Sequence, residues 1–136
     1  MHKPPVLLYK NSDMVYGIGI DLVKVARIKE VSEKWGDRFL ERVFTRDELA
    51  YCFRKHSPYL SLAVRFAAKE AFIKAISSEV SVSFTDIEVT NTGSGKPVLK
   101  LNEKLEAFFK TKGIIKIHLS LSHEHEYGVA CVVLET

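Results

Sequence analysis

Cysteine is scarce in this chain of 136 residues: Cys52 and Cys131 stand alone, and neither lies at a metal-ligand spacing. They read as two reduced core residues of a cytoplasmic protein. Long hydrophobic runs are missing too. Charges interrupt every apolar stretch well before the roughly 18 residues that a membrane helix needs. Pro4–Tyr9 is too short for the apolar stretch of a secretory leader, so no leader is expected. An overwhelming charge of one sign is also absent. The formal net charge of +3 does not require nucleic acid as a partner. Internal repeats, low-complexity tracts and linkers are lacking. The length then points to one domain over residues 14–136 with one core. Residues 1–13 show no clear period, contain Pro4-Pro5 and read as a loose N-terminal arm.

What is present reads as α+β. Val15–Val23 alternates as a strand, with Tyr16, Ile18, Ile20 and Leu22 on one face and Gly17, Gly19 and Asp21 on the other. Glycines inside a strand mark close packing against its backbone, so Asp21 ends a bare face. Val25–Trp35 fits an amphipathic helix. Thr45 and Glu48 form a capping-box signature for a short helix through about Phe53. Ser57-Pro58 reads as N-cap and first position of a helix Pro58–Ser77. That helix is apolar on nearly all sides and should be buried. It nevertheless carries Arg65 and Lys69 in one i,i+4 column and Glu70 and Lys74 in another. A buried helix keeps charges only if they are paired or used. Ile87–Thr90 and Val98–Leu101 read as a hairpin, Glu103–Lys112 as a helix ended by Gly113, and Ile114–Ser122 with Tyr127–Leu134 as a second hairpin. Tyr127–Leu134 is apolar on both faces, which predicts a central strand. Antiparallel strands packed against one long buried helix result.

The chemistry-bearing residues gather around that helix. If it packs on the bare face of the first strand, Asp21 and Glu70 converge, and two carboxylates with substrate phosphate and water make a Mg²⁺ site. Helix capping by Asp21 and pairing of Glu70 with Lys74 are the plain alternatives. Arg65, Lys69 and Lys74 would neutralise a polyanion such as a pyrophosphate beside such a site; snorkelling off the helix is the alternative. Gly95-Lys96-Pro97 offers backbone N–H groups and an ammonium to a phosphate or an adenine, though most such turns are only turns. It is no P-loop, Gly17-Ile18-Gly19 lacks the third glycine of a dinucleotide fingerprint, and no nucleophile elbow accompanies Ser120, Ser122 and His123. His118, His123 and His125 lack a suitably spaced fourth zinc ligand. Ser122-His123 is the better phosphate donor pair. Lys24, Arg27, Lys29, Lys34, Arg38, Arg42 and Arg46 crowd one early stretch, which favours an acidic partner over an ordinary solvated face only if something else points there.

Several of these segments together resemble the holo-acyl-carrier-protein synthase family of 4′-phosphopantetheinyl transferases. They are Gly17-Ile18-Gly19-Ile20-Asp21, Arg27-Ile28, Arg38-Phe39, Arg42-Val43-Phe44-Thr45, Arg65-Phe66-Ala67-Ala68-Lys69-Glu70-Ala71-Phe72-Ile73-Lys74-Ala75, Asp86-Ile87-Glu88-Val89, Gly95-Lys96-Pro97, and Ser120-Leu121-Ser122-His123 with Glu126-Tyr127. The resemblance implies the phosphopantetheinyl-transferase fold. It implies an enzyme moving 4′-phosphopantetheine from coenzyme A to a serine of an acidic acyl carrier protein, in fatty acid biosynthesis, with release of adenosine 3′,5′-bisphosphate. It assigns Mg²⁺ to Asp21 and Glu70, and Lys74 to the reacting phosphates. Arg65, Gly95, Lys96, Pro97 and His123 fall at the nucleotide end of coenzyme A, with Lys69 beside them among the cofactor-binding residues. Arg27, Lys24 and Arg38 fall on the surface that receives the carrier. The proton acceptor is Glu70 or a water at the metal. A homotrimer with active sites between subunits is the implied assembly. Two places depart from the family pattern: Ser77-Ser78-Glu79-Val80 stands where a glycine-containing loop is frequent, and Glu124 and His125 where small or uncharged residues are usual. The rival readings are a metal-dependent phosphohydrolase and a non-enzymatic module using the basic stretch.

Overall fold

Two missing side chains decide how the fold is assembled. The structure, a computed structural model, describes residues 14–136; the arm expected over residues 1–13 lies outside them. Strand β1 (Val15–Lys24) lies against helix α4 (Tyr59–Ile76). A Cβ at Gly17 would overlap the carbonyl oxygen of Ala75, and one at Gly19 the carbonyl oxygen of Ala71. Strand and helix backbones therefore touch, and Ala67, Ala68, Ala71 and Ala75 keep the helix side equally shallow. Gly19→Ala should destabilise the protein by about 3 kcal/mol, because the clash is with backbone and not with a side chain that can turn away. The check is a lower urea midpoint with an unchanged slope; a wild-type midpoint would show that this close approach is dispensable.

The remaining elements follow in the order α1 (Val25–Trp35), α2 (Asp37–Val43), α3 (Arg46–Cys52), α4, β2 (Ile87–Asn91), β3 (Pro97–Leu101), α5 (Glu103–Lys112), β4 (Lys116–His123) and β5 (Tyr127–Glu135). An antiparallel sheet runs β1-β5-β4, and β2-β3 is a separate hairpin. The central place of β5 is what its two apolar faces require. Gly17, Gly19, Asp21 and Val23 pair with Leu134, Val132, Ala130 and Gly128, and this whole row faces α4. The class is thus α+β, with antiparallel strands on one long buried helix. The other sheet face is different. Ile18, Ile20 and Leu22 stand there 62%, 60% and 64% exposed, so no other described residue covers that strip. Tyr16 leaves it: the pairing shifts between Val15 and Gly17, and its ring packs against the core.

Local expectations are corrected in three places. Helix α4 starts one residue later than expected, at Tyr59; Pro58 is itself the N-cap residue and Ser57 makes no cap bond. Helix α2 was not expected at all. It is seven residues long and enters from Gly36 at φ 56 without a side-chain cap, so no motif announces it. Finally, α4 ends at Ile76, and Ser77 and Ser78 both take positive φ, 58 and 63. The left-handed region is unfavourable for serine and open to glycine. Ser78→Gly should therefore raise stability by about 0.5–1 kcal/mol, relief of strain exceeding the added freedom of the unfolded chain. Thermal melting checks this, and a lower midpoint would mean that Ser78 makes interactions outweighing its strain.

Candidate active site

Asp21 stands on the α4 side of β1, where the glycines have drawn strand and helix together. Glu70 leaves α4 toward the same space. The two acids share a cleft of about 520 Å³ with Lys24, Arg27, Phe66 and Tyr127. Burial, and then the charge of Asp21, push the Glu70 carboxyl above the usual carboxylate range, while Lys74 opposes them. The Lys74 ammonium donates to Asp21 Oδ1 and to the Ile20 carbonyl, both at 3.0 Å. It is 55% exposed, against 15% for the Asp21 side chain, so the lysine is the solvated partner and the acid the sheltered one. The i,i+4 pairing of Glu70 with Lys74 is not what the structure shows, and Asp21 caps no helix: α1 has no side-chain cap.

The donor set decides what cation fits. Among the described residues no three of His, Cys, Asp and Glu converge on one point. Two carboxylates alone are too few for a closed zinc site. They suit Mg²⁺, which keeps several waters and takes one or two carboxylates together with substrate phosphates. Glu70 and Asp21 already repel each other, and a divalent ion between them would relieve that repulsion.

A second cluster lies elsewhere on α4. Arg65 precedes Glu70 by five residues, about 140° around the helix, so the two side chains leave on different sides. Arg65 is only 5% exposed. Its guanidinium lies over the Tyr51 ring at 4.3 Å from the centroid, and its two Nη groups donate to Ser61 O and Asn91 Oδ1 at 3.3 and 3.2 Å. Asn91 Nδ2 in turn donates to Gly95 O at 3.0 Å. Arg65 is thereby joined to the loop that carries Gly95, Lys96 and Pro97. His123 is exposed at the end of β4, opposite Gly128 of β5, which pairs with Val23 of β1. Two strand spacings, about 10 Å, separate it from β1.

Lys69 is the clearest correction. It was expected among the cofactor-binding residues, yet it is fully buried. Its ammonium donates to Glu48 Oε1 at 2.6 Å, Val43 O at 2.8 Å and Phe84 O at 3.0 Å. An ammonium has three N–H groups, so none remains for a ligand. Burial lowers the Lys69 pKa and Glu48 works against that. Arg38 also lies outside the carboxylate cleft. It borders an adjoining groove with Val31, Trp35, Phe39 and Arg42, and Val31 and Phe39 line both spaces. The larger groove between β3, α5 and β4, about 1380 Å³, touches neither acid. Cys52 is inert core, its thiol pushed up to about 11 mainly by burial.

Tyr51, Glu48 and Asn91 were not foreseen as parts of these clusters. Only Glu48 carried a signal, the capping box with Thr45, which is present. That signal explained Glu48 locally and concealed its second duty.

Comparison with known proteins gives the family and the fold. A family model described as the 4′-phosphopantetheinyl transferase superfamily matches residues 17–132. The chain is 46% identical over 123 residues to a holo-[acyl-carrier-protein] synthase of Halothermothrix orenii, covering 90% of this chain and 98% of that protein. The crystal structure of holo-[acyl-carrier-protein] synthase from Neisseria meningitidis superposes with a TM-score of 0.84 at 37% identity, covering 90% of this chain and all of that one (100%). That of a Bacillus anthracis holo-(acyl-carrier-protein) synthase in complex with CoA (3′,5′-ADP) does so with a TM-score of 0.74 at 38% identity, over 90% and 98% of the two chains. The chain belongs to the 4′-phosphopantetheinyl transferase superfamily.

Proposed function

We propose that this chain is a holo-[acyl-carrier-protein] synthase: it transfers 4′-phosphopantetheine from coenzyme A to a serine of an apo acyl carrier protein, releases adenosine 3′,5′-bisphosphate, and serves fatty acid biosynthesis. The observation that carries the reading is the pairing of Asp21 and Glu70 in one basic-rimmed cleft, in a chain that spans nearly the whole length of relatives bearing that name.

Asp21 and Glu70 would hold Mg²⁺, which on binding supplies charge neutralisation at a pyrophosphate. The protein's own part is as follows. Lys74, exposed beside Asp21, turns its ammonium toward the phosphate that departs with the nucleotide. As its oxygen attacks the β-phosphorus, the carrier serine gives its proton to Glu70 or to a water of the cleft. Lys24 and Arg27 line the cleft and Arg38 the adjoining groove, so the mouth is positive where an acidic carrier must deliver its serine. Arg65, Gly95, Lys96, Pro97 and His123 receive the nucleotide end.

Within one chain the carboxylate cleft and the Arg65 cluster do not meet. We attribute this to an oligomer, a homotrimer by family resemblance, in which one subunit completes the site of the next. The exposed strip Ile18, Ile20 and Leu22 supports that reading, since a soluble protein rarely leaves so regular an apolar row uncovered. No helix among the described residues is long and apolar enough to cross a membrane, and we place the enzyme in the cytoplasm.

The deciding test is mass spectrometry of an apo carrier protein after incubation with this chain, coenzyme A and Mg²⁺. Carrier gaining the mass of phosphopantetheine supports transfer. Coenzyme A cleaved with no gain on the carrier would replace transfer by hydrolysis, the phosphohydrolase reading. No change in either would favour a binding module.

A further inference from the structure

Arg65 poses a physical problem that its contacts do not solve. It is a nearly buried cation, and none of the ion pairs among the described residues includes it. Its Nε–H is shielded from solvent and has no acceptor among the described residues. A buried charge without a counter-charge is costly, and an unsatisfied N–H adds to the cost. What holds the guanidinium is entirely neutral: the Tyr51 ring beneath it, the Ser61 carbonyl and the Asn91 side-chain oxygen. Carboxylates are the usual partners of arginine, and here an amide stands in that place.

We infer that Asn91 is a positioning residue for the nucleotide phosphate: it aligns Arg65 without neutralising it, and with the same amide it ties the Gly95–Pro97 turn to that alignment. This rests on the transfer reading above. Both ends of the amide are used. Oδ1 accepts from Arg65 Nη2, and Nδ2 donates to Gly95 O. The turn is organised by its own bonds, Gly95 N to Thr92 O, Thr92 N to Lys96 O and Lys96 N to Thr92 Oγ1, so fixing Gly95 fixes the backbone at Lys96. Gly95 takes φ 90, a value L side chains rarely adopt, which lets its carbonyl turn toward Asn91. The result is one guanidinium and one lysine-bearing turn set by a single neutral side chain, with net positive charge left for an incoming phosphate. An aspartate at the same position would hold Arg65 at least as firmly and remove that charge.

The experiment is steady-state transfer by the full chain, wild type against Asn91→Leu and Asn91→Asp, with coenzyme A and with 3′-dephospho-coenzyme A. Asn91 is exposed at the end of β2, so both variants should fold, with Asn91→Leu melting somewhat below the wild type and Asn91→Asp no lower than it. Asn91→Leu should raise KM for coenzyme A about tenfold at unchanged kcat, the scale of a lost hydrogen bond to a charged group. KM for the dephosphorylated substrate should not move. Asn91→Asp should raise KM for coenzyme A further than leucine does. Equal rises with both substrates, a KM unchanged in both variants, or an aspartate variant as good as wild type would each overturn the role of Asn91 while leaving transfer intact. A wild-type chain that transfers from neither substrate would overturn the transfer reading, and this inference with it.

Discussion

Glu70→Gln should give a folded protein whose kcat for transfer is lower by about 10³-fold or more, the loss that follows if this carboxylate holds the cation as proposed. Asp21→Ala should do the same. Stability makes the prediction sharper, because the two effects have opposite signs. Glu70 has its pKa raised in the folded state by burial and by Asp21. The folded protein therefore binds the Glu70 proton more tightly than the unfolded chain does. Between the unfolded value and the raised one, stability falls as pH rises, and above that window the ionised carboxylate is a standing cost. Glutamine removes the cost. In metal-free buffer Glu70→Gln should melt higher than the wild type at neutral pH, and the two midpoints should converge as pH drops below the ordinary glutamate range. Added Mg²⁺ should raise the wild-type midpoint and leave the glutamine variant nearly unmoved. Full activity in either variant would remove these carboxylates from the chemistry. Activity lost together with stability would mean that the substitution had damaged the fold.

That pairing was legible in the sequence because backbone contact leaves a compositional trace. Gly17 and Gly19 announce that a helix must lie close, the alanines of α4 announce the matching face, and Asp21 follows in strict alternation. Lys69 was not legible. A lysine at i,i+4 from Arg65 on a buried helix is either used by a ligand or paired within the protein, and only the long-range partner Glu48 decides which. Glu48 in turn already had a local explanation as a cap. Asn91 carried no signal beyond that of a loop former, because its role depends on a guanidinium 26 positions away. The exposed strip on β1 could be read as a face but not as an uncovered one, since alternation does not say which side the rest of the chain will cover.

Glu48→Ala should be among the most destabilising substitutions in the molecule, by about 3–5 kcal/mol. The Glu48 carboxylate accepts from Thr45 N at 2.8 Å, Lys69 Nζ at 2.6 Å and Val89 N at 2.6 Å, and its side chain is fully buried. Removing it leaves the Lys69 ammonium buried against two carbonyls and frees two backbone N–H groups. Lys69→Met should cost nearly as much, by stranding the carboxylate. The double variant Glu48→Leu with Lys69→Met should recover part of the loss, because neither charge is then stranded, while the Thr45 and Val89 N–H groups stay unpaired. Transfer should not recover with it. The pair pins α4 to the start of α3 and to β2 one residue before Glu70, and a shift of about 1 Å at a reacting group can cost on the order of 100-fold in rate. A double variant that is stable and slow, with KM for coenzyme A little changed, would mean that the ion pair is kept to aim Glu70 at Asp21. One that is stable and fully active would reduce Glu48 and Lys69 to a filling of the core that leucine and methionine replace.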